Sequence, residues 1–175
     1  MLRTLINPKT EEYQAFKKLV LSKDYVWRWY GEATNGLPVP EGFAPVIVYY
    51  TDLLFRPDAA HDLKGYPLPM SPYVDSAAKI IREILEENNV KLNCILRIAT
   101  NCVYAHKKVV KSTPHVDHPF DHKNFIIYLN DSSGDTIVEG ERSTLKEDKA
   151  IFFSGEHYHE TPVEGRRIVL VATFI

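Results

Sequence analysis

Residues 124–138 of the sequence read NFIIYLNDSSGDTIV, which is two apolar segments separated by a polar turn. Aromatic and β-branched residues favour strands, whereas the central Asp131-Ser132-Ser133-Gly134-Asp135 has the composition of a turn. We therefore predict one strand over 124–130 and a second over 135–138.

The rest of the second half of the sequence has the same pattern of short apolar segments. Further apolar segments, which we predict to be strands, occupy 92–100, 150–153 and 166–174. Short strands at this spacing favour a β-barrel or a jelly roll, and helices followed by strands argue against a doubly wound parallel sheet. We expect an α+β, mainly β chain with one domain over 1–175. Supporting helices, strands and loops would come from 1–90 and the β core from 91–175.

Two amphipathic helices are predicted in the first half. Apolar residues at helical spacing indicate one helix over 10–21 and another over 72–88. Ser71 can cap the second helix, and Pro72 suits its first position. Seven of the eleven prolines lie in 38–72, which is therefore expected to be mostly loop.

Composition excludes several classes of function. The chain has 175 residues, 45% of them hydrophobic, and a formal net charge of -2. No broad basic field favours nucleic acid or an anionic membrane, and no run approaches the ~20 apolar residues that span a bilayer. The spacing of Cys94 and Cys102 fits neither a disulfide framework nor a cysteine zinc site. With no apolar signal-like run at the N-terminus, a cytoplasmic location is expected.

Histidines are unevenly distributed, and this is the first indication of chemistry. Five of the seven lie between positions 115 and 159. In His115-Val116-Asp117 the imidazole and the carboxylate share one side of a strand, so both could bind one metal ion. A third ligand could come from His159, or from His157, which shares its face. Two histidines and one carboxylate form the facial triad that suits non-haem Fe(II).

A basic residue that could bind an anion follows these histidines in the sequence. Gly165-Arg166-Arg167 precedes a segment that is apolar on both faces and should be buried. Burying an arginine is costly unless it meets an anion, and its planar fork matches a carboxylate, such as that of a metal-bound keto acid. Tyr128 could bind the same carboxylate. Neighbouring residues on a strand face opposite ways, so only one of Arg166 and Arg167 can enter a pocket.

These sequence segments resemble those of the 2-oxoglutarate- and Fe(II)-dependent dioxygenases, especially their small prolyl-hydroxylase-like branch. The resemblance covers about 91–175 and is carried by the following segments: Arg97-Ile98-Ala99-Thr100-Asn101, His115-Val116-Asp117, Ile127-Tyr128-Leu129-Asn130, His159-Glu160-Thr161-Pro162 and Gly165-Arg166-Arg167. It implies a double-stranded β-helix fold, buttressed here by the N-terminal helices.

The resemblance also implies a set of site residues. His115, Asp117 and His159 would bind Fe(II), and Arg167 would hold the distal carboxylate of 2-oxoglutarate, assisted by Tyr128. Asn101 would face the same pocket. The implied reaction uses O2 to hydroxylate a C–H bond and releases succinate and CO2, with ascorbate as a further candidate cofactor.

Three alternatives stay open at this stage. His157 could replace His159, and Arg166 could replace Arg167. The same fold could instead hold Zn or Mn in a non-redox, cupin-like isomerase, hydrolase or ligand-binding module. The substrate is a peptide side chain, an amino acid or a small metabolite, and no nucleic-acid or membrane partner is expected. Candidate residues at the substrate entrance are Tyr49, Tyr50, Phe55, His61, Tyr66, Lys107, Lys108 and Lys111.

Overall fold

This computed structural model describes residues 1–32, 36–55 and 68–175. Two residues predicted at the substrate entrance, His61 and Tyr66, lie outside these ranges, as does the side chain of Phe55. Neither helix in the described ranges is long and apolar enough to cross a membrane.

The described residues contain two helices and eleven strands. The helices are α1 (Glu11–Leu21) and α2 (Val74–Glu87). The strands are β1 (Leu2–Leu5), β2 (Arg28–Glu32), β3 (Ile47–Phe55), β4 (Leu68–Pro69), β5 (Ile95–Tyr104), β6 (Lys123–Tyr128), β7 (Thr136–Val138), β8 (Glu141–Ser143), β9 (Ala150–Phe153), β10 (His157–His159) and β11 (Arg166–Phe174).

Both helices form where the periodicity predicts them. Thr10 caps α1 because its side-chain oxygen accepts the hydrogen bond of the Tyr13 backbone N–H, at 3.3 Å. Helix α2 begins at Val74, two residues later than predicted. The Ser71 hydroxyl accepts from the backbone N–H of Tyr73 and so closes a turn ahead of the helix rather than capping it.

A large antiparallel sheet carries most strands in the order β1-β9-β6-β11-β5-β3-β2, with β4 attached to β3. The predicted strands over 150–153 and 166–174 have the observed bounds. The strand predicted over 92–100 instead begins at Ile95 and continues to Tyr104. Its extra length pairs with β11 and β3, which are long partners that local composition does not reveal.

Alternation along β11 decides what lies on each side of the large sheet. Ile168 and Leu170 face the core that also contains buried residues of α1 and α2, whereas Val169 faces a second core that includes Val138 of β7. One face of the sheet is thus covered by helices and the other by the small sheet. Burial on both faces explains why residues 168–172 of β11 are all apolar.

The small sheet has the strand order β10-β7-β8 and is extended by the segment 110–115. Ser112 N–H donates to the His159 carbonyl at 2.8 Å, and His115 and His157 exchange backbone hydrogen bonds of 2.9 and 3.0 Å. Two packed antiparallel sheets with this connectivity form a jelly roll, so the predicted mainly β fold is confirmed.

Asp148, in the loop before β9, fixes α1 against the sheet. Its Oδ1 atom accepts hydrogen bonds from the Tyr13 hydroxyl and the Lys17 ammonium, both at 2.6 Å, and Lys9 lies 2.9 Å from Oδ2. Burial opposes ionisation of this carboxyl, but the hydrogen bonds from Lys17, Tyr13 and Lys9 outweigh it and lower the pKa to about 2.

We predict that Asp148→Asn lowers the free energy of unfolding by roughly 2 kcal/mol at pH 7. The pKa is lower in the folded chain, so this contribution is complete above about pH 4 and fades as the pH falls towards 2. Asparagine also accepts the left-handed backbone (φ 66°) found there, so the substitution isolates the charge. Urea unfolding at pH 7 and pH 2.5 measures the effect, with exposed Asp75→Asn as the control. An equal loss at both pH values would contradict it.

Candidate active site

A cavity of about 380 Å³ opens between the two sheets. Its lining includes five of the six residues that the sequence nominates for the site: His115, Asp117, His159, Arg167 and Asn101. The sixth, Tyr128, is fully buried behind the cavity wall. The alternative imidazole, His157, also lines the cavity.

Three imidazoles converge in this cavity. One ring nitrogen from each of His115, His157 and His159 lies within 4.8 Å of the other two. His115, in the segment before β6, is paired with His157 of β10 through an isolated β-bridge, and their ring centroids are 4.4 Å apart, compared with 6.2 Å for His115 and His159. Such a group has the donor atoms and the spacing to hold a metal ion.

Asp117 adds a carboxylate to this group. Its Oδ2 atom lies 3.6 Å from Nε2 of His157, and its Oδ1 atom lies 3.8 Å from Nη1 of Arg97. His157 is therefore the β10 imidazole that lies beside the carboxylate. The ring of His159 lies instead next to Arg167.

The protonation states suit metal binding. Burial opposes ionisation of Asp117, but His157, His115 and Arg97 outweigh it and keep its pKa below the ordinary value. Burial lowers the pKa of His157 to about 4, although Asp117 opposes this. At neutral pH the site therefore offers a charged carboxylate and an uncharged His157 imidazole, which are the forms that bind metals.

Arg167 is 2% exposed, and its hydrogen-bond partners among the described residues are all uncharged. Its Nε donates to the Gly134 carbonyl at 3.1 Å, and its Nη2 donates to the Thr136 hydroxyl at 3.1 Å and approaches Nδ1 of His159 at 3.3 Å. A guanidinium only donates, so Nδ1 of His159 is the acceptor and the proton of the neutral ring is on Nε2. Within the described part of the chain, Arg167 has no carboxylate in ion-pair contact.

Tyr128 acts on this group through Thr136. Its hydroxyl donates to the Thr136 hydroxyl at 2.8 Å, and its ring centre lies 5.6 Å from the Arg167 guanidinium carbon. Thr136 is directly opposite His159 in the pairing of β7 with β10. Sequence reasoning missed Thr136, because only this register reveals that it lies beside the arginine.

The neighbouring Arg166 lies outside this arrangement. It is partly exposed and does not line the cavity, and its backbone carbonyl accepts from Asn130 Nδ2 at 2.7 Å. The alternation along β11 thus directs Arg167, rather than Arg166, into the cavity.

Gly134 shapes the wall next to Arg167. A side chain there would put its Cβ 2.6 Å from the Glu160 carbonyl, and the backbone φ of +102° is itself unfavourable for other residues. The close approach of this turn to the end of β10 places the Gly134 carbonyl where Arg167 donates to it.

Several further polar residues of the cavity are absent from the sequence prediction, including one on β3 and one on β6. Asp52 on β3 and Asn124 on β6 both line it. Both follow the strand alternation, but nothing in the local sequence distinguishes them from ordinary polar positions. Only the assembled sheet shows that they face the cavity.

Comparison with known proteins gives a likeness of fold. No family model and no curated protein matches the sequence. Similar solved structures include a 2OG-Fe(II) oxygenase family oxidoreductase from Burkholderia pseudomallei, at TM-score 0.67 and 14% identity over 94% of this chain and 79% of that one. A prolyl hydroxylase from Trichoplax adhaerens, in complex with a hypoxia inducible factor peptide fragment, has TM-score 0.56 and 10% identity over 99% and 83%.

A third similar structure is the non-heme alpha ketoglutarate dependent epimerase SnoN from nogalamycin biosynthesis. It has TM-score 0.57 and 14% identity over 99% of this chain and 77% of that one. At these identities the likeness establishes the fold alone. The double-stranded β-helix predicted from the sequence is thereby confirmed.

Proposed function

We propose that this protein is a 2-oxoglutarate- and Fe(II)-dependent oxygenase that hydroxylates a C–H bond of a peptide side chain, an amino acid or a small metabolite. The observation that carries the proposal is the buried Arg167, which faces the same cavity as a cluster of metal-binding side chains. The three similar structures described above support it, since by name they are a 2OG-Fe(II) oxygenase family oxidoreductase, a prolyl hydroxylase and an alpha ketoglutarate dependent epimerase.

The donor set fits Fe(II). We assign the facial triad to His115, Asp117 and His157, because Asp117 lies 3.6 Å from the His157 ring and His115 is its direct cross-strand neighbour. Two imidazoles and a carboxylate leave three positions open for a keto acid and O2. His159, the ligand expected from the resemblance, belongs to the same group of imidazoles but is hydrogen-bonded towards Arg167.

Arg167 fits the distal carboxylate of 2-oxoglutarate. A buried guanidinium with only neutral partners is costly, and a dicarboxylic keto acid would supply the missing anion. Thr136, held by Tyr128, adds a hydroxyl at the same place. Asn101 lines the cavity, and its side-chain oxygen is buried with no hydrogen-bond partner among the described residues, so it could accept from a bound group.

When bound, Fe(II) and 2-oxoglutarate supply the oxidation: one oxygen atom of O2 enters succinate as CO2 leaves, and the other converts C–H to C–OH. The chain's own contribution is to bind, orient and exclude water. Arg167 would hold the distal carboxylate of the keto acid, and the metal held by the triad would bind its other end. Val103, Phe153 and Val171 give the cavity apolar walls.

A non-redox metalloprotein is the second candidate. The three imidazoles of His115, His157 and His159 match the His₃ ligand sets of catalytic zinc sites. Such a site has no need for a buried arginine facing the metal cluster, which is why we favour the oxygenase.

We predict that the purified protein converts 2-oxoglutarate to succinate only with Fe(II) and O2, with ascorbate sustaining turnover. Asp117→Ala should abolish Fe(II) binding, because it removes the only anionic ligand. Arg167→Ala should raise the KM for 2-oxoglutarate at least about tenfold, since it removes a charge-assisted hydrogen bond. Arg166→Ala is the matched control and should change neither value. Tight Zn(II) binding without any affinity for 2-oxoglutarate would favour the second candidate.

The third metal ligand is decided by a matched pair of substitutions. His157→Ala should reduce the affinity for Fe(II), measured anaerobically by calorimetry, at least about tenfold. His159→Ala should keep metal binding and weaken that of 2-oxoglutarate, because its ring contacts Arg167. The reverse result would assign the metal to His159, as the sequence resemblance implies.

A further inference from the structure

One end of the cavity is not used by the proposed metal and keto-acid sites. Arg167 begins the inward-facing residues of β11, and Thr173 ends them, six residues further on. At about 3.3 Å per residue the two backbone positions are roughly 20 Å apart. Asp117 approaches the Thr173 end, because it lies 3.8 Å from Arg97, the cross-strand neighbour of Thr173.

Three polar residues form a row across this end. Thr173 on β11 is paired with Arg97 on β5 and with Asn124 on β6. All three line the cavity, beside the apolar Val171 and Phe153. A guanidinium and an amide therefore face the same space, at the end of the cavity remote from Arg167.

Asn124 is the most informative member of this row. It is 3% exposed, and neither its Oδ1 nor its Nδ2 atom has a hydrogen-bond partner in the part of the chain that the structure describes. Buried amides are nearly always paired, because an unpaired donor or acceptor keeps its full desolvation cost. A side chain in this state that lines a cavity indicates a polar ligand with both an acceptor and a donor.

A carboxylate faces the same end from β3. Asp52 is partly buried and lines the cavity, and its side chain forms no hydrogen bond or ion pair with a described residue. Burial raises its pKa, although the positive charges of Arg97 and Arg28 oppose the shift. A cationic group in the cavity would therefore stabilise the charged form of Asp52.

We infer that this end of the cavity binds the charged groups of a free α-amino acid, with its carboxylate on Arg97 and on Nδ2 of Asn124, and its ammonium on Asp52 and on Oδ1 of Asn124. The inference rests on the proposed function, since the bound amino acid would be the substrate whose C–H bond is oxidised. Val171 and Phe153 would contact its side chain. Arg97 and Asp52 carry opposite charges and form no ion pair with each other, so together they match the two charges of a zwitterion.

The same arrangement disfavours a residue inside a peptide. Such a residue has neither the ammonium nor the carboxylate, so the side chains of Asp52 and Asn124 would stay without a hydrogen-bonded ligand. A free amino acid satisfies all three side chains at once.

The test is calorimetric binding of the free α-amino acids to the protein loaded anaerobically with Fe(II) and 2-oxoglutarate. Each amino acid is compared with its N-acetylated, C-amidated form. We expect at least one free amino acid to bind at least about tenfold more tightly than its blocked form. Asp52→Asn should remove most of that preference yet leave the affinity for the desamino analogue, which has only the carboxylate. Arg97→Gln should weaken the binding of both.

Controls separate this inference from the proposed function. Exposed Asp24→Asn and Arg82→Gln match the two substitutions and should leave all affinities unchanged. Every variant is also titrated with Fe(II) and with 2-oxoglutarate, so that an effect of Arg97→Gln on the neighbouring Asp117 is detected directly.

Two results would overturn the inference: blocked forms that bind as well as the free amino acids, or an Asp52→Asn variant with unchanged selectivity. If the chain binds neither Fe(II) nor 2-oxoglutarate, the proposed function fails. The same titrations on the metal-free protein then decide the inference. Binding of a free amino acid that depends on Asp52 would still support this site, and the lack of such binding would overturn it.

Discussion

A guanidinium held inside a protein must be stabilised by its neighbours, and Arg167 at the start of β11 imposes this requirement on both sheets. The acceptors come from a turn, from β7 and from β10, all of which belong to the small sheet or adjoin it. Arg167 itself belongs to the large sheet. The same contacts that keep the charge buried therefore join the two sheets at the inner end of the cavity.

The group of side chains that could hold a metal ion depends on the pairing of the segment 110–115 with β10 in the small sheet. His115 lies outside the regular strands, and its exchange of two backbone hydrogen bonds with His157 brings the two imidazoles together. Asp117 follows two residues later and reaches the same ring. The backbone pairing thus determines which β10 histidine meets the carboxylate, and residue spacing along the chain does not.

The parts of this molecule that follow from sequence are those decided by local alternation. The bounds of β9 and β11, the two helices and the opposite directions of Arg166 and Arg167 all belong to this class. Strands β1 and β10 were not predicted, because they are short and exist through pairing with distant partners. The choice between His157 and His159, and the roles of Thr136 and Asn124, likewise depend on cross-strand register, which a single sequence does not contain.

Strand β11 also limits which sequence changes this chain can accept during evolution. Its inward residues alternate with residues of the helix-facing core, so replacing one apolar side chain with another of similar volume would leave both surfaces intact. Deleting or inserting one residue between Arg167 and Thr173 would turn one of these two ends towards the helices. The length of this strand is therefore fixed more strictly than its composition, and variation in substrate size must come from other walls of the cavity.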